Sequence, residues 1–265
     1  MMKTSLLIAT YNWVEALQLV FKSIQNQTQL PDEILIADDG STEETKQLIS
    51  HLAEQMNIPV RHFWQEDKGF RKAKILNKAI AASHSDYIIQ IDGDCILHKN
   101  FIKDHIANVS NGLYLYGARV NVLPQYVSDV LEEELIEFNI FSKEIKNKNR
   151  TLHMPFLARL YKPHTEISKK FRGCNVSFWR KDFIAVNGYN ESFEGWGRED
   201  SELALRFHNY GLSAQRLKFA GIVYHIFHTE KSKHHLDVNN EMEINTLKNK
   251  IVWASNGIDK HLKTS

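Results

Sequence analysis

Cysteine is scarce in this 265-residue chain: Cys95 and Cys174 are the only two. Two cannot build a disulfide scaffold, and their spacing is not that of a zinc site. This usage fits a reducing compartment, and both read as small core residues rather than nucleophiles. An excess of either charge is also missing, since 33 Lys plus Arg stand against 32 Asp plus Glu for a net charge of +1. Such a balance gives no drive towards nucleic acid, and no nucleic-acid partner is expected. No stretch approaches the roughly 20 apolar residues that span a bilayer. The run after Lys3 is too short for a signal-peptide core. A cytoplasmic chain is therefore expected, with a peripheral contact at the inner face of a membrane left open. Internal repeats and linker-like composition breaks are absent as well, which favours one continuous domain over residues 1–265. What remains is an ordinary globular composition, 43% hydrophobic and 25% charged, with length enough for a sizeable core.

The first 120 residues alternate between two periods. Ser5–Thr10 and Glu33–Ala37 are short apolar runs of the kind buried in parallel sheets, and Val60–Phe63 and Tyr87–Ile91 read as two further strands. Val14, Leu17, Phe21 and Ile24 fall at helical spacing. Ser41 and Glu44 are spaced as a capping box that opens a second helix, and Ile75, Leu76, Ala79 and Ile80 mark a third. Strand and helix repeated at this length predict right-handed βαβ units. Further on, Phe101–Val109 predicts a helix, Leu113–Val120 a strand, Val127–Phe138 a longer helix, Cys174–Phe178 a strand, and Glu199–Tyr210 a helix. Between them, residues 141–172 lose regular periodicity and carry nine Lys or Arg against two Glu. That segment reads either as a solvated loop or as a flap facing phosphates or an anionic surface. His234 and His235, beside Lys231 and Lys233, read as a solvated basic turn.

Ligands of open parallel sheets bind beyond the carboxyl ends of the strands. Thr10-Tyr11-Asn12, Asp38-Asp39-Gly40-Ser41 and Asp92-Gly93-Asp94 occupy three such ends. One acidic turn is commonplace; three at successive strand ends converge on one crevice. Strand alternation would set Asp92 and Asp94 on the same side, with Gly93 allowing close approach to the backbone. Paired hard oxygens suit Mg²⁺ or Mn²⁺ and, through the ion, a diphosphate.

The run ATYN, the DDGS turn and DGD after a buried strand resemble the family 2 glycosyltransferases of GT-A fold. Gly188-Tyr189-Asn190-Glu191, followed by Gly195-Trp196-Gly197-Arg198-Glu199-Asp200, resembles the acceptor-side motif of β-1,4-galactosyltransferases and bacterial chondroitin-type polymerases. FRKAKILN (residues 70–77) is similar to the nucleotide-side helix of the same galactosyltransferases. The resemblance spans roughly residues 5 to 230. It implies a GT-A (Rossmann-like) α/β fold with a mixed, mostly parallel sheet flanked by helices. Residues 1–120 would form the nucleotide-sugar half, 121–230 the acceptor and catalytic half, and 231–265 a C-terminal tail.

Carried over by position, the resemblance places Tyr11 against the uracil with Thr10 nearby and Asp39 accepting from the base. Phe70, Arg71 and Lys72 would line the nucleotide pocket with their cations near the phosphates, beside Gly93. Asp92 would touch the ribose or metal, and Asp94 would bind the metal, with His225 and His228 completing its shell. Imidazole nitrogen with carboxylate oxygen is a reasonable set for Mn²⁺. Asp200 would be the general base, with Glu199 and Trp196 shaping the acceptor site. The alternative for Glu199 and Asp200 is a pair of acids complementing a helix dipole. Arg198 and Ser201 stand where relatives often carry glycine and another acid, which points to a different acceptor preference. The absence of a Gln-x-x-Arg-Trp motif argues against a processive synthase.

The expected activity is inverting, metal-dependent transfer of a hexose or N-acetylhexosamine from a UDP-sugar to a glycan or glycolipid hydroxyl, in surface polysaccharide or lipopolysaccharide synthesis. Two rivals are a sugar-phosphate nucleotidyltransferase, which would want a glycine-rich phosphate loop near the N-terminus, and a non-catalytic glycan-binding module.

Overall fold

The computed structural model describes residues 2–158, 160–168, 171–229 and 235–262. Arg159, Lys169 and Lys170 of the basic segment, and Lys231, Lys233 and His234 of the expected basic turn, lie outside them. The chain opens with β1 (Thr4–Thr10), α1 (Val14–Gln25), β2 (Glu33–Asp38), α2 (Glu43–Glu54), β3 (Val60–Trp64), α3 (Lys72–Ala82) and β4 (Tyr87–Asp92). It continues through β5 (Cys95–Leu97), α4 (Phe101–Ala107), β6 (Leu113–Tyr116), β7 (Ala118–Val122), α5 (Val127–Glu132), β8 (Ile145–Lys146) and α6 (Pro155–Ala158). The remaining elements are β9 (Asn175–Trp179), α7 (Arg180–Ala185), α8 (Glu199–Asn209), β10 (Ser213–Arg216), β11 (Ile222–His225) and α9 (Leu236–Lys248).

Seven strands form the main sheet in the order β10-β6-β9-β4-β1-β2-β3, and a small sheet runs β5-β11-β7-β8. In the main sheet only β9 opposes its neighbours. The expectation of a mixed, mostly parallel α/β sheet is met. Residues alternate along β1 between two cores. Leu7 packs with α3 residues Ile75, Leu76, Ala79 and Ile80, while Leu6 and Ile8 pack with α1 residues Leu17, Val20, Phe21 and Ile24. Burial of both faces is why these strands read as unbroken apolar runs. The chain moves outward from β1 through β2 to β3, then returns to add β4 on the other flank of β1. That reversal opens a crevice at the carboxyl ends of β1 and β4.

Three local expectations fail for identifiable reasons. Residues 113–120 form two strands in separate sheets, because the backbone turns at Gly117. A Cβ there would lie 2.3 Å from the Asn175 amide nitrogen and 2.4 Å from the Gly221 carbonyl. The helix expected over 127–138 stops at Glu132, where Glu134 takes φ +50° and the Leu135 N–H closes onto the Val130 carbonyl, a Schellman-like ending. Leu135 and Phe138 still pack onto the small-sheet core, so their spacing reported burial rather than helix. The Ser41/Glu44 capping box does not form. Ser41 instead accepts the Asn12 N–H at 2.9 Å, and Asn12 Oδ1 accepts the Thr42 N–H at 2.8 Å. The loop after β1 thereby latches the start of α2 through the donor its first turn leaves unpaired.

Candidate active site

On the β2 side of the crevice, Asp39, directly after that strand, is buried. Its carboxylate accepts from Gln65 Nε2 at 2.6 Å and from the Arg71 N–H at 2.7 Å, so it fixes the loop between β3 and α3. Tyr11 donates its hydroxyl to Asp67 Oδ2 at 2.9 Å, and that bond with the Asp67 charge raises its pKa. Its ring stays 38% exposed at the crevice rim. Gly40 must be glycine: it takes φ +99°, and a Cβ would sit 2.6 Å from Asp67 Cα. Beneath them Thr10 is buried, its Oγ1 only 3.0 Å from where a Gly93 Cβ would lie. Phe70 accepts the Gly195 N–H at 3.0 Å through its carbonyl, tying this loop to the Gly-Trp-Gly turn. Arg71 spends a guanidinium N–H on the Glu66 carbonyl. That bond braces the loop that carries it.

Asp92 and Asp94 take different hydrogen-bond partners, although the Asp92 charge also reaches His225 and His228. Asp92 ends β4, while Gly93 and Asp94 form a turn that leads into β5, so strand alternation stops between the two acids. Lys72 Nζ holds Asp92 Oδ1 at 2.6 Å. Burial alone would lower the pKa of Lys72, but Asp92, Asp200 and Glu199 outweigh it and push the value well above the ordinary one. Lys72 is thus the cation of an acidic cluster.

Asp94 meets the small sheet instead. His225 closes β11 with Nε2 3.5 Å from Asp94 Oδ2, and His228 Nε2 lies 3.3 Å from the same oxygen. The three ligand atoms all lie within 4.8 Å of one another, spaced as donors to one shared centre. His228 Nδ1 faces the Thr229 carbonyl at 2.9 Å. A carbonyl only accepts, so Nδ1 carries a proton, while the hydrogen bond to Asp94 favours a proton on Nε2 as well and raises the His228 pKa; loss of the Nε2 proton would free that nitrogen as a ligand. Despite burial, these histidines hold the Asp94 carboxyl below its usual range. Two imidazoles and one carboxylate can hold a divalent cation that accepts nitrogen as well as oxygen.

Across the crevice, Glu199 and Asp200 form the first turn of α8, as the helix-dipole reading expected. The carboxylate of Asp200 is also engaged elsewhere. It accepts the Gly173 N–H at 3.0 Å and the Tyr189 hydroxyl at 3.3 Å. Burial raises its pKa and Lys72 opposes the rise. Glu199 goes further, pushed up to about 8 by burial and then by the Asp200 charge. Both carboxyls are thus raised above their ordinary values, first by burial, a perturbation that clusters at acid–base sites. Gly195, Gly197 and Arg198 all take left-handed φ angles, +72°, +103° and +81°, so the turn presenting Trp196 is tightly wound. Arg198 adopts a conformation that suits glycine and is held there by Asn240 Oδ1 at 2.6 Å.

Sequence reasoning missed Gly173, Asn121 and α9. A Cβ on Gly173 would fall 2.0 Å from Asp200 Oδ1, yet no motif surrounds this glycine. Asn121 pairs in register with His225, and its buried Oδ1 has no hydrogen-bond partner. The expected tail contributes α9, whose buried Asn239 donates to the Glu194 and Gly197 carbonyls at 3.1 and 2.9 Å and so braces the Trp196 turn.

Comparison with known proteins agrees with this geometry. The model of glycosyl transferase family 2 matches residues 5–163, and that of the N-terminal domain of galactosyltransferase matches residues 153–229. Validoxylamine A glucosyltransferase of Streptomyces hygroscopicus subsp. limoneus is 27% identical over 237 residues, 78% of this chain and 48% of that protein. Chondroitin synthase of Escherichia coli is 25% identical over 83% of this chain and 34% of that protein. The chain spans about half or less of the length of these relatives. Among solved structures, GalNAc-T7 with UDP, GalNAc and Mn²⁺ superposes with a TM-score of 0.62 at 19% identity, over 86% of this chain and 44% of that one. The likeness identifies a GT-A fold. Among the described residues no helix is long and apolar enough to cross a membrane.

Proposed function

Because the chain belongs to glycosyl transferase family 2, we propose that it is an inverting, metal-dependent transferase that moves a hexose or N-acetylhexosamine from a UDP-sugar to a hydroxyl of a glycan or glycolipid. The observation that carries this reading is the arrangement around Lys72. Its ammonium pairs with Asp92 on the nucleotide side and lies in the field of Asp200 and Glu199 on the other, so the two halves share one polar centre. The GalNAc-T7 structure, which holds UDP, GalNAc and Mn²⁺, supports a nucleotide-sugar donor. Residues 1–120 form the donor half in this reading and 121–230 the acceptor half, with 231–265 bracing the latter, all within one domain.

Transfer needs a base on the nucleophile, charge neutralisation at the leaving diphosphate, and placement. Tyr11 offers an exposed ring to the uracil, and Asp39 a carboxylate to accept its N–H. Thr10 and Gly93 let the donor approach the crevice floor. Asp94, His225 and His228 would hold the cation, which supplies neutralisation of the diphosphate when bound. Asp200, held by Gly173 and Tyr189, takes the proton of the acceptor hydroxyl. Glu199, kept neutral near pH 7 by its raised pKa, donates a hydrogen bond to the acceptor without competing for that proton. Trp196 supplies a flat apolar face for a sugar ring. A base opposite the leaving group gives a single displacement with inversion, by the geometric logic of inverting glycosidases. The setting is surface polysaccharide or lipopolysaccharide assembly, with the enzyme cytoplasmic and peripheral at the inner face of the membrane.

A panel of UDP-sugars with a glycan acceptor, with and without EDTA, tests the proposal. Metal-dependent UDP release supports it. Pyrophosphate from sugar-1-phosphate plus UTP would instead indicate a nucleotidyltransferase, and binding without turnover a glycan-binding module.

A further inference from the structure

Far from Asp94, a second cluster gathers two histidines and a carboxylate from three separate segments. His98 follows β5, Asp104 lies in α4, and His153 precedes α6 in the basic segment. One ligand atom from each lies within 4.8 Å of the other two. His98 donates its backbone N–H to the Ile222 carbonyl, at the start of β11, whereas His225 ends that strand. The two clusters are thus separated by three residues of β11, about 10 Å at a strand's rise per residue.

We propose that His98, Asp104 and His153 form a second divalent-cation site, of the zinc type, independent of the one at Asp94. His153 Nε2 lies 3.0 Å from both oxygens of the Asp104 carboxylate. That carboxylate is buried and also accepts the Gly221 N–H at 2.9 Å, so the ligand is held before any ion arrives. The His98 and His153 rings stack with centroids 4.6 Å apart and planes at 29°, which directs two imidazoles to one place. The contact to His98 Nδ1 is a long one, 3.3 Å from the Asn100 N–H, and yields easily to a metal.

Two imidazole nitrogens with one carboxylate form a set that borderline cations such as Zn²⁺ and Co²⁺ favour over Mg²⁺. An open cleft of about 180 Å³ reaches His98, lined by Glu137 and Asn139 with Lys99 beside them, and gives an ion a way in. On binding, the cation takes the Nε2 lone pair of the neutral His153 tautomer that carries its single proton on Nδ1, and the Asp104 carboxylate turns from His153 to the ion. The bound ion would staple the basic segment, through His153, to α4 and the end of β5. Its role is structural, since none of these residues touches the crevice.

Equilibrium dialysis of the whole chain against Zn²⁺, with metal content measured afterwards, tests the inference. The Asp94→Asn/His228→Asn variant removes the first cluster. It should still retain one tightly held equivalent, and adding His98→Gln or His153→Gln should abolish that equivalent. With Co²⁺ in place of Zn²⁺, the visible absorption of nitrogen-ligated cobalt should appear and vanish in the same order. No retained metal in a variant whose circular dichroism is native would overturn the inference, as would an equivalent that survives loss of both histidines. The result is separable from the proposed function. If Asp94→Asn/His228→Asn loses no metal, the crevice assignment fails, while an equivalent sensitive to His153→Gln leaves the second site standing.

Discussion

Gly173→Ala should cripple turnover while leaving nucleotide binding intact. The alanine Cβ would lie 2.0 Å from Asp200 Oδ1 and 2.2 Å from its Cγ, whereas real Cβ contacts essentially never fall under 3.0 Å. Something must therefore move by 3.0 − 2.0, about 1 Å. Gly173 has no left-handed φ, so alanine carries no backbone penalty and the cost is steric. The Asp200 carboxylate has little room to retreat, because Tyr189 and Gly173 hold its two oxygens. Overpacking of this kind costs about 1–3 kcal/mol of stability, and a 1 Å misplacement of a catalytic group costs roughly 10²-fold in rate. The assay pairs transfer rate with calorimetric UDP affinity. The rate should fall by about two orders of magnitude with affinity unchanged. In an Asp200→Ala background, which removes Cγ and both oxygens, the clash is relieved, so the same alanine should be close to neutral in thermal stability. A wild-type rate in the single variant, or an equal loss in both backgrounds, would refute the idea that Gly173 is needed to seat Asp200.

Two other outcomes follow from the electrostatics. Asp94→Ala should abolish metal-dependent turnover and weaken metal-dependent UDP binding, and His228→Ala should do so more mildly; full wild-type activity in EDTA would exclude the metal site. The pKa of Glu199, about 8 against an ordinary 4.5, gives stability a definite pH slope. The folded state keeps a proton that the unfolded chain releases, so this contribution is full below about pH 4.5 and is lost as pH rises to about 8. The slope is at most about 1.4 kcal/mol per pH unit from this site. Thermal melts between pH 5 and 8 should show Glu199→Gln with a flatter decline than wild type, and parallel declines would contradict the raised pKa.

The N-terminal half was legible in the sequence because its strands are buried on both faces and the candidate site side chains follow them directly. Tyr11, Asp39 and Asp92 all sit at such ends. Legibility failed where neighbours distant in sequence decide the outcome. Gly117 divides two strands because Asn175 and Gly221 crowd it, and Gly173 matters only because Asp200 folds against it. The helix α9 is joined to the Trp196 turn by the Asn239 amide, so much of its grip lies in hydrogen bonds that no apolar period records. The different partners of Asp92 and Asp94 depend on where β4 ends, and element boundaries are the least readable feature of a sequence.

The most direct test of the account is Asp200→Asn, measured for transfer rate beside donor affinity. Asparagine keeps the shape and hydrogen-bonding reach of the side chain but cannot take the acceptor's proton. A lost general base lowers kcat by about 10²–10⁴-fold, and loss of an interaction confined to the transition state leaves ground-state binding almost untouched. Asparagine also serves well near a helix start, so a purely structural acid at this position would be replaced in silence. The account predicts a rate lower by at least 10²-fold with UDP-sugar affinity within twofold of wild type. Transfer at the wild-type rate would contradict it.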